Sequence, residues 1–263
     1  MSRPPALFVS HGSPMFAIEP GLAGPELARL GRTLDPITAI VVVSPHWQTR
    51  GVRVTGAASL DTIHDFGGFP AALYELRYPA HGAPQLADAV VGLLARHGFD
   101  AAADLTRGLD HGAWVPLRYL RPQADVPVLQ VSLPHDLDAA GALRLGRALA
   151  PLREQGVLVI GSGSLTHNLY EFRQRIDDPE YAQAFVDWIA DAVARGDVEA
   201  LVDYRERAPH AARAHPTQEH FLPLLVALGA SDATDRRRRI EGGMTHAVLS
   251  MDAFAFGVAE EAA

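Results

Sequence analysis

The sequence contains neither cysteine nor lysine. Without cysteine there are no disulfides, thiolate nucleophiles, iron–sulfur ligands or cysteine-based zinc sites. Without lysine all 23 basic residues are arginine, which removes Schiff-base chemistry, pyridoxal phosphate attachment and the phosphate-binding P-loop. Positive charge is scarce as well, and a formal net charge of −8 offers no footprint for nucleic acid. The one basic cluster, Arg236 to Arg239, is explained about as well by a solvated turn before a strand as by a ligand. No apolar run approaches the length of a membrane span, and the first residues lack the basic and apolar regions of a signal peptide. A cytoplasmic protein with no membrane partner is the expectation.

What the chain does have is histidine, twelve of them among 263 residues. Imidazole is the commonest nitrogen ligand for metals and titrates near neutral pH. The stretch Ala39–Trp47 is a β-branched run that ends in Ser44-Pro45-His46. Such a run suits a strand covered by helices on both faces, and Pro45 is expected to end its ladder because it cannot donate a hydrogen bond. His46 then lies in the crevice beyond the strand ends, where open α/β sheets hold ligands. Leu7-Phe8-Val9-Ser10 leads likewise to His11, and Val157–Ile160 leads through Gly161 and Gly163 to His167. The two glycines permit a tight turn or a close approach.

Strand and helix patterns alternate along residues 1–263 with no linker, which predicts one α/β domain with a mainly parallel or mixed sheet flanked by helices. Helices are expected at Pro25–Leu34, Pro84–His97, Ala139–Glu154 and Tyr181–Arg195, and strands at Val126–Leu133 and His246–Met251. Val52–Thr55 alternates like a half-exposed or edge strand, and residues 62–70 and 107–114 read as glycine-punctuated loops. Thr217 reads as the cap of a helix carrying His220 at its third position. His81, His97, His135 and His210 have no such setting. His11, His46, His167 and His220 together could form a nitrogen-rich metal site with positions left open for water or substrate.

Six motifs follow one another along the chain: His11-Gly12-Ser13-Pro14, Ser44-Pro45-His46-Trp47, His64-Asp65-Phe66-Gly67-Gly68-Phe69-Pro70, Asp110-His111-Gly112-Ala113-Trp114, Gly163-Ser164-Leu165-Thr166-His167-Asn168 and residues 216–224, Pro-Thr-Gln-Glu-His-Phe-Leu-Pro-Leu. In this order they resemble the class III extradiol aromatic ring-opening dioxygenases, most closely the 4,5-DOPA dioxygenase branch. The resemblance implies a fold similar to the catalytic subunit of protocatechuate 4,5-dioxygenase and one divalent non-haem metal per chain. It implies His11, His46 and His220 as metal ligands, His167 as a further ligand or a neighbouring base, and His111 as a residue near the substrate. Glu219 is a weaker alternative ligand, and His215 stays outside the site.

The implied partners are a catechol-type, DOPA-like substrate and O2, with ring opening beside the hydroxyls to a semialdehyde. His167 would take a catechol proton, and His111 or His167 would return one. Fe(II) is expected for ring cleavage, while a set of imidazoles also suits Zn(II). Two other readings stay open: a zinc-dependent hydrolase on the same site, and a Memo-like metal-binding interaction protein without catalysis. Phe66, Phe69, Tyr74 and Trp114 are candidates for an aromatic pocket, and Arg50 or Arg77 for holding a carboxylate on the catechol.

Overall fold

The computed structural model describes residues 3–34, 36–174 and 179–258. Its centre is an eight-stranded mixed sheet. The strands are β1 (Ala6–Ser10), β2 (Ala39–Thr49), β3 (Val52–Thr55), β4 (Ala101–Asp104), β5 (Val128–Pro134), β6 (Val157–Gly163), β7 (Arg237–Ile240) and β10 (Ala253–Phe256). Two short strands, β8 (Met244–Thr245) and β9 (Leu249–Ser250), pair separately. The sheet order is β4-β3-β5-β2-β6-β1-β10-β7. The central strands β5, β2, β6 and β1 run parallel, and β10 and β7 extend the sheet antiparallel beyond β1.

The unbroken apolar runs are explained by burial on both faces. Along β2, Ile40 and Val42 join one core with Leu7, Leu158, Ile160 and the helices Ala23–Gly31 and His111–Leu120. Val41 and Val43 face the opposite core with Phe8, Val159 and the helices Pro84–Arg96, Ala139–Leu149, Pro179–Arg195 and Leu222–Ala230. Period-two alternation divides one strand between two cores.

Several expectations are corrected. The β2 strand does not end at Pro45: from Val43 to Gln48 it advances five residues while β5 advances from Val131 only to Leu133. The excess bulges outward, and a bulge is where a proline without a donor is tolerated. Residues 107–114 are not wholly loop, because Asp110 caps a helix that begins at His111. The β3 strand is internal, covered by the unforeseen β4. Arg237–Arg239 lie within β7 rather than in a turn, and the carboxyl-terminal strand of the sheet is Ala253–Phe256, not His246–Met251. Thr217 caps nothing: its hydroxyl donates to Glu219, 2.8 Å away, and the following helix starts at Leu222. His220 therefore sits on the turn before that helix.

Candidate functional site

Five histidines converge at the carboxyl ends of β1 and β6 and at the bulge of β2. His11 follows β1, and its backbone amide donates to Gly163 O at 3.0 Å, which ties it to the end of β6. His46 is thrown out by the bulge in β2. His111 begins its helix, and His167 follows β6 with its amide donating to Ala214 O at 2.8 Å. His220 is held because Ser164 N donates to its carbonyl at 3.0 Å. That approach needs a glycine, since a Cβ on Gly163 would meet His220 O at 2.3 Å. All five imidazoles line one pocket of roughly 510 Å3, walled also by Phe66, Phe69, Leu169 and Phe172, a size within the usual range for small-molecule sites.

The hydrogen bonds assign the tautomers. Ser162 Oγ donates its only proton to Gly112 O and so must accept from His11 Nδ1–H, 3.0 Å away. This leaves the lone pair of His11 on Nε2, which lies 3.1 Å from His46 Nε2. The Nδ1 atom of His46 is 3.5 Å from Asp65 Oδ2. His220 Nδ1 lies 3.3 Å from Glu219 Oε1, and its buried Nε2 has no hydrogen-bond partner among the described residues. Two nitrogens bound to one ion at about 2.0–2.1 Å and roughly 90–110° would lie about 3.0–3.4 Å apart. The spacing of the two Nε2 atoms and the orphaned Nε2 of His220 thus fit a divalent metal. The rings of His11, His46 and His220 are mutually tilted by 57–77°. His11, His46 and His111 form a further group whose nitrogens all lie within 4.8 Å of one another.

His167 is oriented differently. Its ring stacks on that of His220 with centroids 3.4 Å apart and planes 8° from parallel. An imidazole lone pair lies in the ring plane, so the parallel rings direct their lone pairs side by side, although the ligand atoms of His167, Glu219 and His220 also lie within 4.8 Å of one another. Burial, with a smaller electrostatic effect of His111, pushes His167 down to about 4. Burial likewise drives His11 and His220 well below the usual histidine range and His46 to about 3. These four therefore present neutral imidazoles, the form in which histidine accepts a metal or a proton.

Asp65 was missed as a site residue. Its Oδ1 accepts from the backbone amide of His111 at 2.9 Å, and its Oδ2 lies 3.0 Å from His111 Nδ1. Burial alone would raise this carboxyl, but the hydrogen bonds and charge of His111 hold it down at about 2. The signal was its place in His64-Asp65-Phe66, beside a histidine in a loop. The other expectations divide. Phe66 and Phe69 line the pocket. Tyr74 stands behind them with its hydroxyl 3.5 Å from Phe66 O, and Trp114 is fully buried with Nε1 donating to Ile63 O at 2.9 Å. Arg77 donates to the carbonyls of Tyr74 and Leu76, and neither it nor Arg50 lines the pocket. Arg173 does line it. His215 is buried away from the site and lies 2.7 Å from Leu165 O.

Residues 5–250 match the family described as the catalytic LigB subunit of aromatic ring-opening dioxygenase. The chain is 41% identical over 255 residues to a 4,5-DOPA dioxygenase extradiol of Beta vulgaris, covering 95% of each. It is 42% identical over 239 residues to a protein of the same name from Escherichia coli (strain K12), covering 89% of this chain and 88% of that one. The crystal structure of an uncharacterized protein from Escherichia coli K12 superposes with a TM-score of 0.80 at 35% identity, over 97% of this chain and 100% of the other. Its fold, its strand-end histidines and these relatives agree that the chain belongs to the family of LigB-type catalytic subunits of aromatic ring-opening dioxygenases.

Proposed function

We propose that this chain is an extradiol dioxygenase that opens the ring of a DOPA-like catechol, with a divalent metal held by His11, His46 and His220. The carrying observation is that the ε-nitrogens of His11 and His46, 3.1 Å apart, and the unpartnered Nε2 of His220 belong to one aromatic-walled pocket. When bound, the metal would supply Lewis acidity toward the catechol oxygens and, as Fe(II), the electron path to O2. The remaining work falls to the chain. Phe66, Phe69 and Phe172 flank the ring and keep water from it. His167, neutral and just outside the ligand set, accepts a catechol hydroxyl proton. His111, whose Nδ1–H is committed to Asp65, offers Nε2 to take and return a proton at the opened oxygen. Arg173 is the single arginine lining the pocket, with no hydrogen-bond or ion-pair partner among the described residues. It suits an anionic substituent on the catechol. The supporting relatives are the two 4,5-DOPA dioxygenases.

The test is anaerobic reconstitution of metal-free protein with Fe(II) or Zn(II), addition of DOPA or simpler catechols, and admission of oxygen. Yellow semialdehyde with matching oxygen uptake under Fe(II) is the expected result. No uptake with any catechol under either metal would sink the proposal, and ester cleavage by the zinc form would then favour the hydrolase.

A further inference from the structure

The helix His111–Leu120 contains Pro116 in its interior, a position that normally weakens a helix. A proline there lacks the amide that would reach the carbonyl four residues back, which is Gly112 O. That carbonyl is not left empty: it accepts the hydroxyl proton of Ser162, from the neighbouring strand β6. Ser162 is completely buried, as is Gly112, and an unfilled carbonyl at this depth would be costly. Gly112 has its own constraint, because a Cβ there would meet Ser44 Oγ at 2.4 Å and His46 Cδ2 at 3.0 Å. Helix, strand and two histidines therefore meet at one backbone position.

We infer that Ser162 is a positioning residue that locks His11 in the tautomer with a free Nε2, and that Pro116 enables it by vacating Gly112 O. A hydroxyl carries one proton. With that proton committed to Gly112 O, Ser162 Oγ is a pure acceptor toward His11 Nδ1, 3.0 Å away. Were the proton turned toward His11 instead, two oxygens at hydrogen-bonding distance would face each other with lone pairs only. The chain Pro116, Gly112, Ser162, His11 is thus directional, and it ends on the nitrogen that faces His46. In free imidazole solution both tautomers coexist, so an unlocked His11 would present the wrong nitrogen part of the time. The inference rests on the proposed ligand role of His11 and concerns how that ligand is prepared.

The measurement is nitrogen-15 NMR of the imidazoles in metal-free protein, with His11 assigned by comparison with His11→Gln, alongside calorimetric titration with zinc. The wild-type protein is expected to show His11 protonated on Nδ1 alone. Ser162→Ala should average the two ring nitrogens and weaken zinc binding about 10- to 100-fold, while Ser162→Thr, which keeps the hydroxyl, should retain the wild-type signature. A wild-type His11 protonated on Nε2, or a Ser162→Ala protein with wild-type zinc affinity, would overturn the inference. Zinc binding unaffected even by His11→Gln would instead remove the ligand role itself, separating that failure from failure of the serine.

Discussion

His11 and His46, 35 residues apart in sequence, face each other through their Nε2 atoms at 3.1 Å. With His11 Nδ1–H committed to Ser162, the lone pair of His11 Nε2 points at His46 Nε2, while His46 Nδ1 lies 3.5 Å from Asp65 Oδ2. A cation between them would be held by both nitrogens. His46→Ala is expected to bind less than a tenth of the metal that wild-type protein retains after dialysis, read by elemental analysis. Full metal content in that variant would remove His46 from the ligand set.

Asp65 bonds both the backbone and the ring of His111. Asp65→Asn should lower kcat about 10- to 100-fold because His111 loses its orienting carboxylate, and it should cost less metal than His46→Ala, since His46 Nδ1 lies farther from Asp65, at 3.5 Å. Steady-state kinetics paired with metal analysis separates the roles. Metal loss in Asp65→Asn as severe as in His46→Ala would show instead that Asp65 supports the ligand set, through His46 or through His111, which is close to His11 and His46.

Arg173 is exposed, so its substitution leaves the core untouched. Comparison of 3-(3,4-dihydroxyphenyl)propanoate with its methyl ester tests its pairing with an acid. The wild-type protein should prefer the acid by about tenfold or more in KM, in line with a charge-assisted hydrogen bond. Arg173→Gln should bring that ratio close to one. An unchanged ratio would refute the pairing.

Stability should fall in acid, and His215 allows the sign to be worked out away from the metal pocket. Burial pushes His215 down to about 3, against the bond to Leu165 O and far below its unfolded value of about 6.5. Both states are neutral above pH 6.5, so nothing is lost there. As pH falls from about 6.5 toward 3, only the unfolded state takes up the proton, and stability drops. Thermal melts across that window should show a shallower decline in His215→Asn than in wild-type protein, since asparagine does not titrate and can still donate to Leu165 O.

Arg153 is a buried fastener at the opposite end of the sheet. It pairs with Asp235 at 2.6 Å and donates to Pro4 O and Ala230 O at 2.8 Å each. Arg153→Met should destabilise the fold by about 3 kcal/mol, as expected for breaking a buried pair from one side. Denaturant unfolding would measure it. A change within about 0.5 kcal/mol, typical of surface substitutions, would contradict the assignment.

The strands Ala6–Ser10, Ala39–Thr49 and Val157–Gly163 were legible because burial on both faces demands uninterrupted apolar runs, and those runs pointed to His11, His46 and His167. His220 was legible as a candidate, but its place on a turn was not, since Thr217 carries a cap's chemistry without a cap's position. The helix at His111 was hidden because Gly112 and Pro116 both read as helix breakers. Their reasons, contact with His46 and the hydroxyl of Ser162, lie on other strands.

By itself, then, the sequence determined the available chemistry: no thiol, no amine side chain, and histidines delivered by buried strands. These are local properties of composition and period. Only the tertiary structure decided which imidazole nitrogen is free, which rings share a point and which arginine reaches the pocket. Those outcomes depend on hydrogen bonds between residues 46 to 151 positions apart, and no local pattern encodes contacts at such separations.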